Sequence, residues 1–124
     1  MEFKSEQFED VTVVYVYLKR ATLAKAVKFK EFVTELIDRG SNKVIIDLTI
    51  CEYIDSTFLG AMVSLLKKIN SIQGDLRLVY NKEAPSLVFV ITRMDKVFKI
   101  FDTLDEALDS FGIKRSKPGL DWVN

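Results

Sequence analysis

The stretch Val44–Ile69, VIIDLTICEYIDSTFLGAMVSLLKKI, holds the decisive reading of this chain. Lys43 leads into Val44, Ile45, Ile46 and Leu48, a near-continuous apolar run that suits a strand covered on both faces, inside a parallel or mixed sheet. From Asp55 onward the pattern changes. Leu59, Met62, Val63, Leu66 and Ile69 recur at helical spacing until Gly74, which predicts an amphipathic helix. Between strand and helix lies a polar step, Asp55-Ser56-Thr57. With Asp55 as N-cap, its carboxylate accepts hydrogen bonds from the free backbone donors of the first turn, and Ser56 and Thr57 occupy that turn at the positive end of the helix.

Two readings of this step follow. In one it is a helix cap and nothing more. In the other, a phosphate on Ser56 carries close to two negative charges, offset by the helix end by about 0.3–1 kcal/mol and opposed by neighbouring Asp55. Such a charge changes a binding surface more than it changes the fold.

Working outward, Val11–Leu18 (VTVVYVYL) is rich in β-branched and aromatic residues and predicts a strand, paired with Phe3–Phe8 through a Glu9-Asp10 turn. Ala26, Phe29, Val33, Leu36 and Ile37 mark a helix from Leu23 to Gly40. Leu76–Tyr80 is another strand. Ala84-Pro85-Ser86 opens a helix with Leu87, Val90, Ile91 and Met94 on one side, and Val97–Phe101 adds a last strand. Thr103 and Glu106 stand in capping-box spacing before Leu104, Ala107, Leu108 and Phe111, with Gly112 at the C-terminal cap. Strands alternating with helices imply one layered α/β domain, residues 1–112, with a C-terminal tail over 113–124 that carries Trp122.

Composition narrows the chemistry. The 124 residues fit one domain, and 48% apolar with 29% charged residues is an ordinary globular balance. Eighteen basic and eighteen acidic residues leave no net field toward nucleic acid or anionic lipid, so neither direct nucleic-acid binding nor membrane insertion is expected. No run approaches the roughly 20 apolar residues of a membrane span, and Met1-Glu2-Phe3-Lys4 is not a signal segment, so a cytoplasmic location is expected. There is no histidine and one cysteine, Cys51, which removes the commonest general base and metal ligand. Cys51 reads as a small buried hydrophobe. Asp47 and Asp55 flank the strand end as a possible acid and base pair without a third group. The five glycines form no phosphate-binding loop, so no cofactor, metal or enzyme activity is expected.

The segment Val44–Ile69 resembles the core signature of the STAS family, the domain of bacterial anti-sigma factor antagonists: an apolar strand ending in Asp-Leu, a short step, Asp-Ser-Ser/Thr-Gly-Leu-Gly, and an amphipathic helix. Asp47, Leu48, Asp55, Ser56, Thr57, Leu59 and Gly60 match. DKVFKIFDTLDEAL, Asp95–Leu108, resembles the family's closing segment. The resemblance implies a small mixed sheet with helices packed on one side. It implies that Ser56, with Thr57 as second candidate, is phosphorylated by an anti-sigma factor serine kinase, and that a serine phosphatase reverses this. Asp55, Ser56, Thr57, Phe58, Lys19 and Arg20 would then form the partner-binding surface. The alternative implied by the family is a structural subunit of a signalling scaffold or of an anion or lipid transport system. Two positions depart from the pattern. Phe58 replaces the usual Gly, either as an apolar contact or turned inward, and the segment after the second strand, where many members have a Gly and an acidic residue, reads Leu18-Lys19-Arg20-Ala21-Thr22. Those two cations open a run, with Lys25, Lys28 and Lys30, in which every charge between Asp10 and Glu31 is positive. The run is either a solvated face or a match for an acidic partner.

Overall fold

The computed structural model describes residues 1–80 and 87–115. Strand β1 (Phe3–Phe8) turns at Glu9 and Asp10 and pairs antiparallel with β2 (Val11–Val16). A two-residue strand β3 (Arg20–Ala21) precedes helix α1 (Leu23–Asp38). Then come β4 (Lys43–Asp47), a second short strand β5 (Tyr53–Ile54), helix α2 (Ser56–Ser71) and β6 (Asp75–Val79). Helix α3 (Leu87–Ile91), a 3-10 turn (Met94–Lys96), β7 (Ile100–Phe101) and helix α4 (Leu104–Ser110) complete the described chain. The main sheet runs β1-β2-β4-β6-β7, parallel from β2 onward, and β3 and β5 form a separate parallel pair.

The period-2 alternation of the strands divides the core in two. Val14, Val16, Val44, Ile46, Leu76 and Leu78 meet Phe29 and Val33 of α1 and Phe58, Met62 and Leu65 of α2. Val11, Val13, Ile45 and Val79 on the opposite face meet Ala107 and Leu108 of α4 and Ile113. The mixed sheet with helices is as expected. The expectation of helices on one side describes α1 and α2, whereas α4 covers the other face. The reason is already in the VII run, because Ile45 between Val44 and Ile46 must also leave water.

Helix ends follow from backbone chemistry. Gly40, at φ 114°, closes α1 with Gly40 N–H donating to Ile37 O and Ser41 N–H to Leu36 O, a Schellman arrangement. In α2 the left-handed position falls on Gln73 rather than on Gly74. Gly74 is required for a different reason: a Cβ there would lie 2.3 Å from Asn42 O and 2.8 Å from Ile69 Cγ1.

Three sequence expectations shift. The strand expected over Val97–Phe101 shortens to Ile100–Phe101, because the 3-10 turn ends only at Lys96 and Phe98 is used to fill the core. The helix expected to align Val90, Ile91 and Met94 stops at Ile91, where a left-handed Arg93 breaks it and leaves Val90 and Ile91 exposed; Ala84-Pro85-Ser86 lies outside the described residues. The tail drawn from residue 113 is also corrected. Ile113 is buried against the α4 face and Arg115 pairs with Asp105 at 2.8 Å, so residues 113–115 belong to the folded body. Trp122 lies outside the described residues.

Candidate functional site

Strands β2 and β4 are parallel, so their carboxyl ends open on the same edge of the sheet, and each continues into one strand of the small β3–β5 ladder. Arg20 registers with Tyr53 and Ala21 with Ile54. Lys19 O accepts from Glu52 N–H at 2.8 Å and Tyr53 N–H at 3.1 Å, and Ala21 O accepts from Asp55 N–H at 3.0 Å. This ladder brings the starts of α1 and α2 to one corner.

Asp55 holds that corner. Its Oδ1 accepts from Phe58 N–H at 2.8 Å, the N-cap bond the sequence predicted for α2. Its Oδ2 accepts from Leu23 N–H at 2.8 Å, in the first turn of α1. One carboxylate therefore satisfies a free donor of each helix and lies at the positive ends of both. Both oxygens of this half-buried side chain are engaged inside the chain, so its work here is to set the corner.

Ser56 and Thr57, the first two residues of α2, are exposed, and neither hydroxyl has a hydrogen-bond partner among the described residues. Phe58 behaves differently. Its side chain is fully buried and stacks on Phe29 of α1 with ring centroids 4.6 Å apart. The proposal that Phe58 contributes to the partner surface is thus corrected: an amphipathic helix sends the third residue of this turn toward the sheet, and the aromatic fills the space between α1 and α2. Full burial of such a side chain contributes about 1.5–3 kcal/mol.

Lys19 and Arg20 are exposed at the same corner, and neither has a carboxylate partner among the described residues. The Arg20 guanidinium lies 4.5 Å over the Tyr53 ring. Lys25 differs, since it pairs with Glu2, and that bond holds the Glu2 carboxyl below its usual range. Lys28 and Lys30 are exposed farther along α1.

Tyr53, Leu23, Ile50 and Tyr17 are exposed apolar side chains in the segments around the corner, and sequence reading did not single them out. Their only sequence signal is an apolar residue in a segment too short to bury it, which requires knowing the β3–β5 pairing. The cavity between β2 and the loop after β4, about 60 Å³ and lined by Tyr15, Tyr17, Asp47, Thr49 and Ile50 among others, has room for a few waters.

The acid–base pair considered for Asp47 and Asp55 does not form a shared site. Asp47 accepts from the backbone N–H of Thr49 at 2.9 Å and from its hydroxyl, while Asp55 serves the helix starts. Cys51 is buried, and desolvation followed by the Asp47 charge pushes its thiol up to about 12. It stays protonated at neutral pH and packs as a hydrophobe. Among the described residues no cluster of three metal-ligating side chains occurs, and no helix is long and apolar enough to cross a membrane.

A mixed sheet whose parallel strands deliver a helix-capping Asp and an exposed Ser to one edge is the architecture found here, and the chain belongs to the STAS domain family, whose model matches residues 4–107. A relative from Thermotoga neapolitana, named as a candidate anti-sigma factor antagonist, is 38% identical over 102 residues, covering 82% of this chain and 89% of its own. The crystal structure of a candidate anti-sigma factor antagonist from Thermotoga maritima superposes with a TM-score of 0.77 at 32% identity, covering 90% of this chain and 95% of that one. The Bacillus cell fate determinant SpoIIAA, solved in its phosphorylated form, has the same fold, with a TM-score of 0.66 at 16% identity over 88% of this chain and 98% of its own.

Proposed function

We propose that this protein is an anti-sigma factor antagonist that binds an anti-sigma factor serine kinase in the cytoplasm, with Ser56 as its switch. The observation that carries this reading is the division of labour at the corner. Asp55 and Phe58 turn inward to hold the two helices, which leaves Ser56 and Thr57 presenting aliphatic hydroxyls at the start of α2 on an exposed, partly apolar surface. On the kinase, Ser56 Oγ takes the γ-phosphoryl group of ATP, its proton passes to a base of the kinase, and ADP leaves. A serine phosphatase returns the hydroxyl by hydrolysis, releasing inorganic phosphate. Lys19 and Arg20 belong to the same contact surface.

The switch works through desolvation. Binding must cover Ser56 together with exposed Tyr53 and Leu23, and a nearly dianionic phosphate there has to be stripped of water. Unless the partner supplies a cation, that cost appears as lost affinity. Ser56→Asp is expected to weaken binding to the cognate anti-sigma factor by at least about tenfold, equivalent to 1.4 kcal/mol, while Ser56→Ala keeps wild-type affinity and no longer responds to kinase and ATP. Titration calorimetry measures the first and phosphopeptide mass spectrometry the second. Tight binding by Ser56→Asp, or phosphate found elsewhere and never on Ser56, overturns the assignment.

A further inference from the structure

We propose that Arg20 is an intramolecular receptor for the phosphate on Ser56, so that modification both adds an anion to the corner and withdraws a cation from it. The inference rests on Ser56 being the phosphorylated residue and goes beyond that reading by naming what the phosphate does inside its own chain.

The β3–β5 register provides the proximity. Arg20 sits beside Tyr53, and Asp55 N–H closes onto Ala21 O, so Ser56 is the second residue past the end of the strand that Arg20 flanks. At a rise of about 3.3 Å per residue, roughly 10 Å of chain separates Tyr53 from Ser56. The long arginine stem and the phosphoserine arm close that gap from its two ends.

Arg20 is also free to move. Lys25, Arg39, Lys43, Lys68 and Arg77 each pair with a carboxylate, whereas among the described residues Arg20 holds only the exposed Tyr53 ring. Asp55, the nearest acid in sequence to Ser56, has both oxygens bonded to backbone donors. A guanidinium over an exposed ring gains little beside a bidentate fork on a phosphate, whose planar geometry matches it. The exchange therefore runs from Tyr53 to the phosphate. It uncovers the Tyr53 ring and removes from the partner surface a charge that an acidic anti-sigma factor face would otherwise meet.

Among the described residues, the segments that meet at the corner carry Asp55 and Glu52 on the phosphate's own segment, Tyr53 of β5, Lys19 and Arg20 on the adjoining one, and Lys25, paired with Glu2, in the first turn of α1. A cation favours the dianion, so Arg20 lowers the second ionisation of the phosphate from its ordinary value near 6, while Asp55 and Glu52 raise it. The test uses the full chain with phosphoserine incorporated genetically in place of Ser56 and follows the phosphorus NMR shift against pH. Arg20→Gln is expected to raise the midpoint by about 0.3–0.7 pH unit, Arg20→Lys by less, and Lys28→Gln not at all. The difference between wild type and Arg20→Gln should fade in 1 M salt, where the Debye length is about 3 Å. Amide spectra of each variant verify the fold. A curve for Arg20→Gln that superposes on wild type overturns the clamp, as does an equal shift from Lys28→Gln, which would indicate a diffuse field. This measurement needs no partner, so its failure leaves the Ser56 switch standing. Absence of Ser56 phosphate in cells would remove the switch while leaving the measured Arg20 contact intact.

Discussion

Arg20 and Arg77 both lie over an aromatic ring, yet they stand at opposite ends of the sheet in opposite conditions. Arg77, in β6, is 3.8 Å over the Phe111 ring, pairs with Asp75 at 2.8 Å, and donates to the backbone and side-chain oxygens of Ser110. Its side chain is 13% exposed. Arg20 has the Tyr53 ring and water. The glycines at the two ends repeat the contrast. An added Cβ at Gly74 would strike the Asn42 carbonyl, whereas one at Gly60, on the exposed side of α2, would meet nothing within 4 Å. The Arg77 end is closed by its own contacts and keeps β6 and α4 together. At the Ser56 end, donors and space remain beyond what the fold uses, and this is where a partner has something to bind.

Four substitutions measured by urea denaturation sharpen or break that contrast. Gly74→Ala should cost about 3 kcal/mol, because a backbone carbonyl cannot yield as a flexible side chain would. Arg77→Ala follows at about 2 kcal/mol, from charged hydrogen bonds lost at a mostly covered site. Gly60→Ala should have the opposite sign, raising stability by about 0.5–1 kcal/mol, since alanine favours the helix and the site has room. Arg20→Ala should change stability by about 0.5 kcal/mol or less, as an exposed cation over a ring contributes little. Should Arg20→Ala prove as costly as Arg77→Ala, or Gly60→Ala destabilise, the open end would be structural and the contrast would fail.

The parts of this molecule that were readable in advance are those governed by local periodicity. The β1–β2 hairpin, α1, β4, α2 and the Asp55 cap all appear where the pattern of apolar residues and capping chemistry placed them. What escaped was set by distant contacts. β3 and β5 are two residues each, too short for any alternation to show, and they exist because each supplies the other's backbone partners. For that reason Tyr53 and Leu23 were missed at the site although both neighbour residues that were identified. Phe58 shows the same limit: its turn of helix was correctly located, but its direction depended on Phe29, in a different helix and far away in the chain.

Within Val44–Ile69, sequence alone determined that a buried strand ends in a capped helix with Ser56 in its first turn, because hydrophobic period and cap chemistry act over a few residues. Only the tertiary structure decided that the Asp55 carboxylate also receives the start of α1, that α4 covers the far face of the sheet, and that Arg20 comes to lie beside the strand leading to Ser56. Each of these depends on which strands lie side by side, and that is settled by burying both faces of the sheet at once, a condition the whole chain meets together.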